Sequence, residues 1–184
     1  MSKKWKTLNS KTVADYKIFS IREDINESPR TGLSAPFYII QSLDWINIIP
    51  LTPDKKVIFV RQFRHGSQEI TMEVPGGIVE TTDRDPMFTA RREMIEETGY
   101  DSDNIINLGA IRPNPAILNN RGHVFVAFDV YRKRDQLLDD MEDLQIVQMD
   151  LENVYKMIAT GEITHALTIT TFCLLEQYQK YNVI

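Results

Sequence analysis

The sequence predicts an α/β (α+β) fold, with a mixed β-sheet between helices and an antiparallel strand segment before it. Short apolar segments bounded by turn residues dominate the N-terminal half, which is typical of strands. Helices are predicted over 86–98, 151–159 and 164–181. With 184 residues, 42% of them hydrophobic, the chain can bury a full core and suggests one domain with a small appended element.

Composition narrows the class of function. The net charge of −5 and the pI near 5.3 argue against a broad basic surface for nucleic acid. Cys173 is the sole cysteine, which excludes an intramolecular disulfide and fits a reducing compartment. The opening MSKKWKTLNS has no apolar segment behind it, and no apolar run approaches membrane length. We therefore expect a cytoplasmic protein with no nucleic-acid or membrane partner.

Residues 1–45 form an N-terminal β segment. The stretches 12–22 and 37–41 are rich in apolar residues and indicate two or three strands. These strands precede residues 46–184, the main domain, and need not belong to its sheet. An edge hairpin packed on its own monomer is one arrangement for them.

The strands of the main domain follow in order. Segments 45–50 and 56–63 flank the turn residues Pro53-Asp54-Lys55 and predict a hairpin. Further strands are predicted at 105–111, 123–131 and 144–149. The loop between 111 and 123 has two prolines and three asparagines, which suits either the rim of a pocket or a simple connection.

The helix over 86–98 has clear boundaries. Asp85 is a good N-cap, and Pro86 suits the first helical position because its missing N–H group is not needed there. Gly99 is the residue type that ends a helix. Apolar or small residues form the arc expected to face the core: Met87, Ala90, Met94, Ile95 and Thr98, with Arg91 among them.

Three carboxylates share another face of this helix. Glu93 and Glu97 lie about 40° apart around the axis, with Glu96 next to them. Such acids repel by about 0.2–0.5 kcal/mol on an exposed surface, and by about 4 kcal/mol in a partly buried cleft. Arg92 reaches Glu96 at the i, i+4 spacing, but one guanidinium cannot neutralise three acids.

A hard divalent cation is one answer to this repulsion. Ligation by carboxylates alone suits Mg²⁺ or Mn²⁺, whereas Zn²⁺ prefers His or Cys. The alternative is a solvated acidic helix face, which is the commoner meaning of an isolated E-x-x-E-E pattern.

The segment from Gly77 to Tyr100 resembles the Nudix box, G-x5-E-x7-R-E-U-x-E-E-x-G-U, where U is a bulky apolar residue. Its second half matches at Arg92, Glu93, Met94, Glu96, Glu97, Gly99 and, loosely, Tyr100. Its first half departs, because Gly77 and Arg92 are fifteen positions apart where the pattern has fourteen. The first Glu of the pattern falls at Asp83 or Arg84, and Asp83 could substitute for it. The resemblance implies the αβα sandwich of Nudix proteins and supersedes the solvated-face alternative.

Two upstream segments resemble the nucleotide-sugar branch of that family. Arg61-Gln62-Phe63-Arg64 resembles its R-Q-[YF]-R segment, which implies that Arg64, with Arg61, contacts a phosphate through bidentate bonds. Alternatively, it is a surface strand end that pairs with acids. Glu73-Val74-Pro75-Gly76-Gly77 resembles an E-x-P-[AG]-G segment. This resemblance implies that the Gly76 carbonyl is a metal ligand and that Glu73 lies beside the metal or the substrate. The alternative for Glu73 is an ion pair with a nearby arginine.

The resemblance also implies the chemistry. Glu93 and Glu97, with the Gly76 carbonyl, would hold Mg²⁺, with Mn²⁺ as the alternative, against a diphosphate. Arg92 would keep the glutamates in register by ion pairing. The acidic stretch 139–143 matches a family loop that carries the general base, so Glu142 is the leading candidate and Glu96 the second. Without the box, a solvated acidic turn would be preferred for this stretch.

The function implied is Mg²⁺-dependent hydrolysis of nucleoside diphosphate sugars, with ADP-ribose as the first candidate, to a nucleoside monophosphate and a sugar phosphate. Trp45, Phe37 and Tyr38 are candidates for contacting the base, although large aromatics in strands are more often core residues. The resemblance further implies a homodimer that exchanges the segment 1–45. The alternatives are a Nudix hydrolase of nucleoside triphosphates, dinucleoside polyphosphates or RNA caps, and a nucleotide-sugar-binding module without activity.

Overall fold

The computed structural model describes residues 3–181. Residues 1–2 and 182–184, at the outer ends of the predicted segments 1–45 and 46–184, lie outside the described residues. The chain divides into two compact units. One comprises 1–44 with 112–121, and the other comprises 45–111 with 122–184.

The first unit is a three-stranded antiparallel sheet in the order β1-β2-β3. Its strands are β1 (Lys6–Asp15), β2 (Phe19–Glu27) and β3 (Ser34–Ser42). The two or three strands predicted for this segment are three, and the apolar stretch 12–22 spans two of them, because the chain reverses at 16–18, where the Tyr16 N–H donates to the Phe19 carbonyl at 2.9 Å. This turn contains neither Gly nor Pro, so the usual turn signal is missing.

The loop 112–121 belongs to this same unit. The Ile40 N–H in β3 donates to the Ile117 carbonyl at 2.8 Å, and the Asn119 N–H donates to the Ile40 carbonyl at 3.3 Å. A parallel bridge joins Ile40 and Leu118. The loop therefore pairs with the edge of β3 as well as connecting strands of the second unit.

The second unit contains a seven-stranded sheet in the order β12-β5-β4-β10-β9, with β6 on β5 and β7 on β4. Its strands are β4 (Trp45–Leu51), β5 (Lys56–Arg64), β6 (Glu69–Glu73), β7 (Gly76–Ile78), β9 (Asn104–Ile111), β10 (Gly122–Phe128) and β12 (Gln145–Asp150); a small separate pair is β8 (Tyr100–Asp101) with β11 (Tyr131–Arg132). β4 and β10 are parallel, whereas the other neighbours are antiparallel. The predicted mixed sheet is confirmed.

The predicted hairpin of β4 and β5 is open. The two strands pair only at Leu51 and Val57, next to the turn. Farther along, β4 pairs with β7 and β5 pairs with β6. The two strands therefore diverge, and the chain that links β6 to β7 runs at this opening.

Helices cover both faces of this sheet. They are α1 (Pro86–Thr98), α2 (Leu151–Thr160) and α3 (Ala166–Tyr181). One buried cluster joins α1 to the sheet through Met94, Ile48 and Phe125, and another joins α2 and α3 through Val154, Phe172 and Ile49. The neighbours Ile48 and Ile49 point to opposite faces, as alternation along a strand requires. The predicted αβα sandwich is confirmed, and within residues 3–181 no helix is long and apolar enough to cross a membrane.

The buried face of α3 includes two threonines. Its buried residues are Thr168, Thr171, Phe172 and Leu175. Threonine can be buried here because its hydroxyl finds a partner within the helix. The Thr171 hydroxyl donates to the Leu167 carbonyl at 2.7 Å.

A buried carboxylate anchors α1 to β8. The Asp101 side chain is fully buried and accepts hydrogen bonds from Arg91 at 2.7 and 3.0 Å and from Lys133 at 2.6 Å. Burial alone would raise the pKa of Asp101, but these two cations outweigh it and lower the pKa to about 2. Arg91, which interrupts the predicted apolar arc of α1, therefore has a structural role.

We expect Asp101→Asn to lower the free energy of unfolding at pH 7 by about 3 kcal/mol, since it removes one partner from a buried ion pair. The folded-state pKa of Asp101 lies below the usual aspartate value of 3.8. Its stabilisation is therefore present above that value and lost as the pH falls through about 2. Urea unfolding should show that the difference in free energy of unfolding between wild type and variant becomes smaller from pH 5 to pH 2. As a control, Asp135→Asn, in an exposed ion pair, should change the free energy of unfolding by less than about 0.5 kcal/mol. An equal gap at every pH would contradict this account.

Candidate active site

Helix α1 begins and ends where the sequence predicts. The Asp85 side chain accepts a hydrogen bond from the Phe88 N–H at 2.8 Å. Gly99 adopts a left-handed conformation with φ of 74°, and its N–H donates to the Ile95 carbonyl at 2.9 Å. These two caps fix where the helix starts and stops along the sheet.

The prediction that α1 has a core-facing apolar face and a separate anionic face is wrong at two positions. Glu97 is only 5% exposed and is buried with Ala90, Met94 and Thr98, whereas Met87 is 40% exposed. Glu97 can turn inward because the backbone of β7 provides a donor. The Gly76 N–H donates to Glu97 Oε2 at 3.1 Å.

The two glycines of β7 allow the carboxylates to approach the backbone. A Cβ atom on Gly77 would fall on Cδ and Oε1 of Glu93. A Cβ atom on Gly76 would lie 2.6 Å from the Ile46 carbonyl oxygen in β4. The resemblance implies that the backbone approaches an ion here, through the Gly76 carbonyl. In the structure the backbone at Gly77 lies close to the Glu93 carboxylate.

Burial raises the pKa of Glu97 to about 8, with the charge of Glu93 as the next cause. Burial also raises the pKa of Glu93 to about 7, against the opposing charge of Arg92. The charge of Glu142 raises the pKa of both groups further. Glu93 and Glu97 therefore have too little positive charge close to them to stabilise their ionised forms. A bound cation would provide that charge.

Arg92 is held by three carboxylates. It lies 3.0 Å from Glu93, 2.9 Å from Glu96 and 3.3 Å from Asp83. Asp83 also accepts a hydrogen bond from the Thr89 hydroxyl at 2.8 Å. Asp83 therefore connects the lengthened loop to the helix, at the place where the Nudix pattern has its first Glu.

Glu96 is the most exposed of the three glutamates, with 31% of its side chain exposed against 15% for Glu93. Its carboxylate pairs with Arg92, and Glu96 lines a cavity of about 300 Å³ with Phe88 and Lys133. Among the described residues, no three His, Cys, Asp or Glu side chains form a ready-made metal-binding group. The contact between Arg92 and Glu96 is the i, i+4 pair that the sequence predicted.

A second cavity, of about 360 Å³, lies at the opening between β4 and β5. Its lining residues are Trp45, Ile46, Asn47, Arg64, Glu73, Val74, Gly76, Gly77, Ile78, His165 and Leu167. The structure therefore brings together four predicted site residues: Trp45, Arg64, Glu73 and Gly76. Arg61 is exposed, does not line this cavity, and by strand alternation points to the face opposite Arg64.

Arg64 and Glu73 form the ion pair that the sequence left open as an alternative. Arg64 donates to both Glu73 oxygens, at 2.7 and 2.6 Å, and the Thr71 hydroxyl donates to the same carboxylate at 2.5 Å. Burial would raise the pKa of Glu73, but these donors outweigh it and lower the pKa. Glu73 is 1% exposed, so it acts here by orienting Arg64.

His165 lies in this cavity and was missed by the sequence analysis. Its Nδ1 is 3.5 Å from Glu73 and 2.9 Å from the Thr168 hydroxyl, and burial lowers its pKa. It precedes α3 by one residue and belongs to none of the recognised motifs. In the sequence it lies in the first turn of the helix predicted over 164–181, a position that gives no signal of function.

The remaining candidates do not line this cavity. Glu142 is exposed, and its carboxylate accepts a hydrogen bond from the Asp139 N–H at 3.0 Å. Phe37 packs edge-on against Trp5 within the first unit, with ring centroids 5.4 Å apart, and Tyr38 is exposed there.

These elements occur together in one known family. A model described as the NUDIX domain matches residues 45–170. The chain belongs to the NUDIX family. The helix with Arg92, Glu93, Glu96 and Glu97 is its Nudix box, one residue longer in the preceding loop.

Individual relatives of this Nudix protein carry informative names. The chain is 30% identical over 172 residues to a Bacillus subtilis protein named ADP-ribose pyrophosphatase, covering 89% of this chain and 90% of the relative. It is 27% identical over 123 residues to a Salmonella typhimurium protein named GDP-mannose pyrophosphatase, covering 62% of this chain and 63% of the relative. A crystal structure described as an ADP compounds hydrolase has the same fold, with a TM-score of 0.85, 19% identity, and coverage of 100% of this chain and 98% of that one.

We expect Arg64→Met to lower the free energy of unfolding by about 3 kcal/mol, because it leaves the buried Glu73 charge without its main partner. The double variant Arg64→Met, Glu73→Gln should lose less than the sum of the two single variants, which urea unfolding can measure. Additive losses would show that the two side chains do not stabilise one another.

Proposed function

We propose that this Nudix protein hydrolyses the diphosphate bond of nucleoside diphosphate sugars, with ADP-ribose as the first candidate. The products would be a nucleoside monophosphate and a sugar phosphate. The observation that carries the proposal is a pair of carboxylates, the buried Glu97 and the partly buried Glu93, packed against Gly76 and Gly77 beside the cavity that contains Arg64. The pyrophosphatase names of the relatives support the same class of reaction.

The donor set fits a hard divalent cation. Nudix pyrophosphatases depend in general on divalent metals, and carboxylate and carbonyl oxygens are the ligands that Mg²⁺ and Mn²⁺ prefer. Glu93, Glu97 and the Gly76 carbonyl would hold it, and a bound Mg²⁺ would neutralise charge on the diphosphate oxygens and polarise water. The raised pKa values of both glutamates support this assignment, because a cation would stabilise their ionised forms.

The protein's own residues provide orientation and proton transfer. Arg92 fixes the Glu93 carboxylate, and the Gly76 N–H fixes that of Glu97. Arg64, oriented by Glu73, would contact the diphosphate through its guanidinium. Glu142 would accept the proton of the attacking water; its charge is near enough to affect both glutamates. Glu96 is the weaker candidate because its carboxylate is engaged by Arg92.

Several further expectations stay predictions. Trp45 would contact the substrate, since it lines the cavity. The predicted contact of Arg61 with a phosphate has no such support, because Arg61 does not line the cavity. The residues 1–45 would form the dimerisation element of a homodimer, and residues 46–184 the Nudix hydrolase domain. The cytoplasmic location belongs with these predictions.

The first test is a substrate panel of ADP-ribose, GDP-mannose, NADH, a dinucleoside polyphosphate and dGTP, incubated with Mg²⁺ and resolved by chromatography. We expect cleavage of a nucleoside diphosphate sugar in preference to the others. Glu97→Gln should lower kcat by about a thousandfold, since it removes one of two charged ligands, with the melting temperature little changed. Glu176→Gln, an exposed acid in α3, serves as the control. A wild-type protein that cleaves none of these compounds would overturn the proposal.

The second test separates metal binding from turnover. Gly77→Ala places a methyl group on the Glu93 carboxylate and should weaken Mn²⁺ binding by roughly 10–100-fold, the range for losing support of a ligand. Titration with Mn²⁺, followed by electron paramagnetic resonance, measures the free ion. Gly66→Ala makes the same change where nothing lies within 4 Å and should bind Mn²⁺ as the wild type does. Equal affinity of the two variants would remove Glu93 from the ligand set.

A further inference from the structure

The segment before the Glu142 loop caps the end of α1. The last carbonyl groups of a helix have no partner within the helix and must find one outside it. The Leu137 N–H donates to the Glu96 carbonyl at 2.9 Å. The N–H groups of Lys133 and Arg134 donate to the Gly99 carbonyl at 2.9 and 3.1 Å. The chain that leads to Glu142 is therefore fixed to the end of the Nudix helix.

Gln136 makes the central contact of this cap. Its Nε2 donates to the Glu97 carbonyl at 2.6 Å and also approaches the Leu144 carbonyl at 3.4 Å. Both partners are carbonyl oxygens, so the amide must present its NH₂ group to them. Leu144 is buried and immediately precedes β12, so one side chain joins both ends of the loop 137–144 to α1.

The same residue of α1 is held from two directions. The Glu97 side chain accepts from the Gly76 N–H, and the Glu97 carbonyl accepts from Gln136. Between its two anchored ends the loop forms two internal hydrogen bonds. The Glu142 N–H donates to the Asp139 carbonyl, and the Asp139 N–H donates to the Glu142 carboxylate, both at 3.0 Å. The position of Glu142 relative to Glu97 thus depends on the anchor at Gln136.

We propose that Gln136 is a positioning residue, which sets the distance between the loop that carries Glu142 and the metal-binding end of α1. The inference rests on the proposed function, in which Glu142 takes the proton of the attacking water. Gln136 touches neither substrate nor metal in this scheme and acts through the loop. Loss of its hydrogen bonds lets the loop sample positions in which Glu142 is out of reach, and misplacement by about 1 Å can cost a large factor in rate.

The kinetic test uses Gln136→Met, which keeps the size of the side chain and removes both donors. We expect kcat to fall about tenfold while KM stays within about twofold, because substrate contacts are unchanged. Gln136→Lys, which retains an N–H donor toward helix carbonyls, should recover part of this loss. Gln148→Met is the matched control: it makes the same substitution and removes a hydrogen bond to Tyr100, outside this cap, and kcat should stay the same.

A double-mutant cycle tests the route of action. If Gln136 works through Glu142, Gln136→Met should cause little further loss of kcat in a protein that already carries Glu142→Gln. Losses that multiply would show that Gln136 acts independently of Glu142 and would overturn the inference. The same holds if Glu142→Gln alone leaves kcat unchanged, although hydrolysis itself would then stand.

Hydrogen exchange gives a readout that needs no substrate. Gln136→Met should speed exchange of the amides in 137–143 by about tenfold, with the amides of β4 and β10 unaffected, since local opening is distinct from global unfolding. Unchanged exchange in this loop would overturn the inference. A failure of the proposed function would instead appear in the wild-type protein, which would leave every nucleotide sugar intact, and the exchange result would still decide the role of Gln136.

Discussion

The site depends on the burial of two like charges. Glu93 and Glu97 lie on one helix, against the sheet, and burial raises the pKa of both. Such an arrangement destabilises the protein unless positive charge is close by, and Arg92 and the Gly76 N–H provide only part of it. Three features of the surrounding structure hold these two carboxylates in place. They are the caps of α1, the close-packed glycines of β7 and the separation of β4 from β5.

The division of the sheet determines where the site lies. Because β4 and β5 pair only near their turn, their far ends are free to pair with β7 and β6. The link between β6 and β7 then brings Glu73 and Gly76 to the same opening. An uninterrupted hairpin would have closed this space with ladder hydrogen bonds and left Gly77 without access to α1.

The sequence predicted the parts governed by local rules. Asp85, Pro86 and Gly99 fix the limits of α1 by hydrogen bonding and backbone geometry alone, and short apolar segments bounded by turn residues locate the main strands. The inward turn of Glu97 could not be predicted in this way, because it depends on a donor from Gly76, twenty-one positions earlier. The same applies to His165 and Gln136. Each acts through contacts between segments far apart in the sequence, for which periodicity carries no signal.

The extra residue before α1 lies in a loop that Asp83 holds to the helix. Asp83 turns back to accept hydrogen bonds from the Glu80 N–H and the Thr89 hydroxyl, and it contacts Arg92. The added length thus lies in a loop with its own hydrogen bonds, ahead of the N-cap Asp85. Searches for this family that require a fixed number of residues between the glycine and the arginine would overlook such proteins, whereas searches that let this interval vary would recover them.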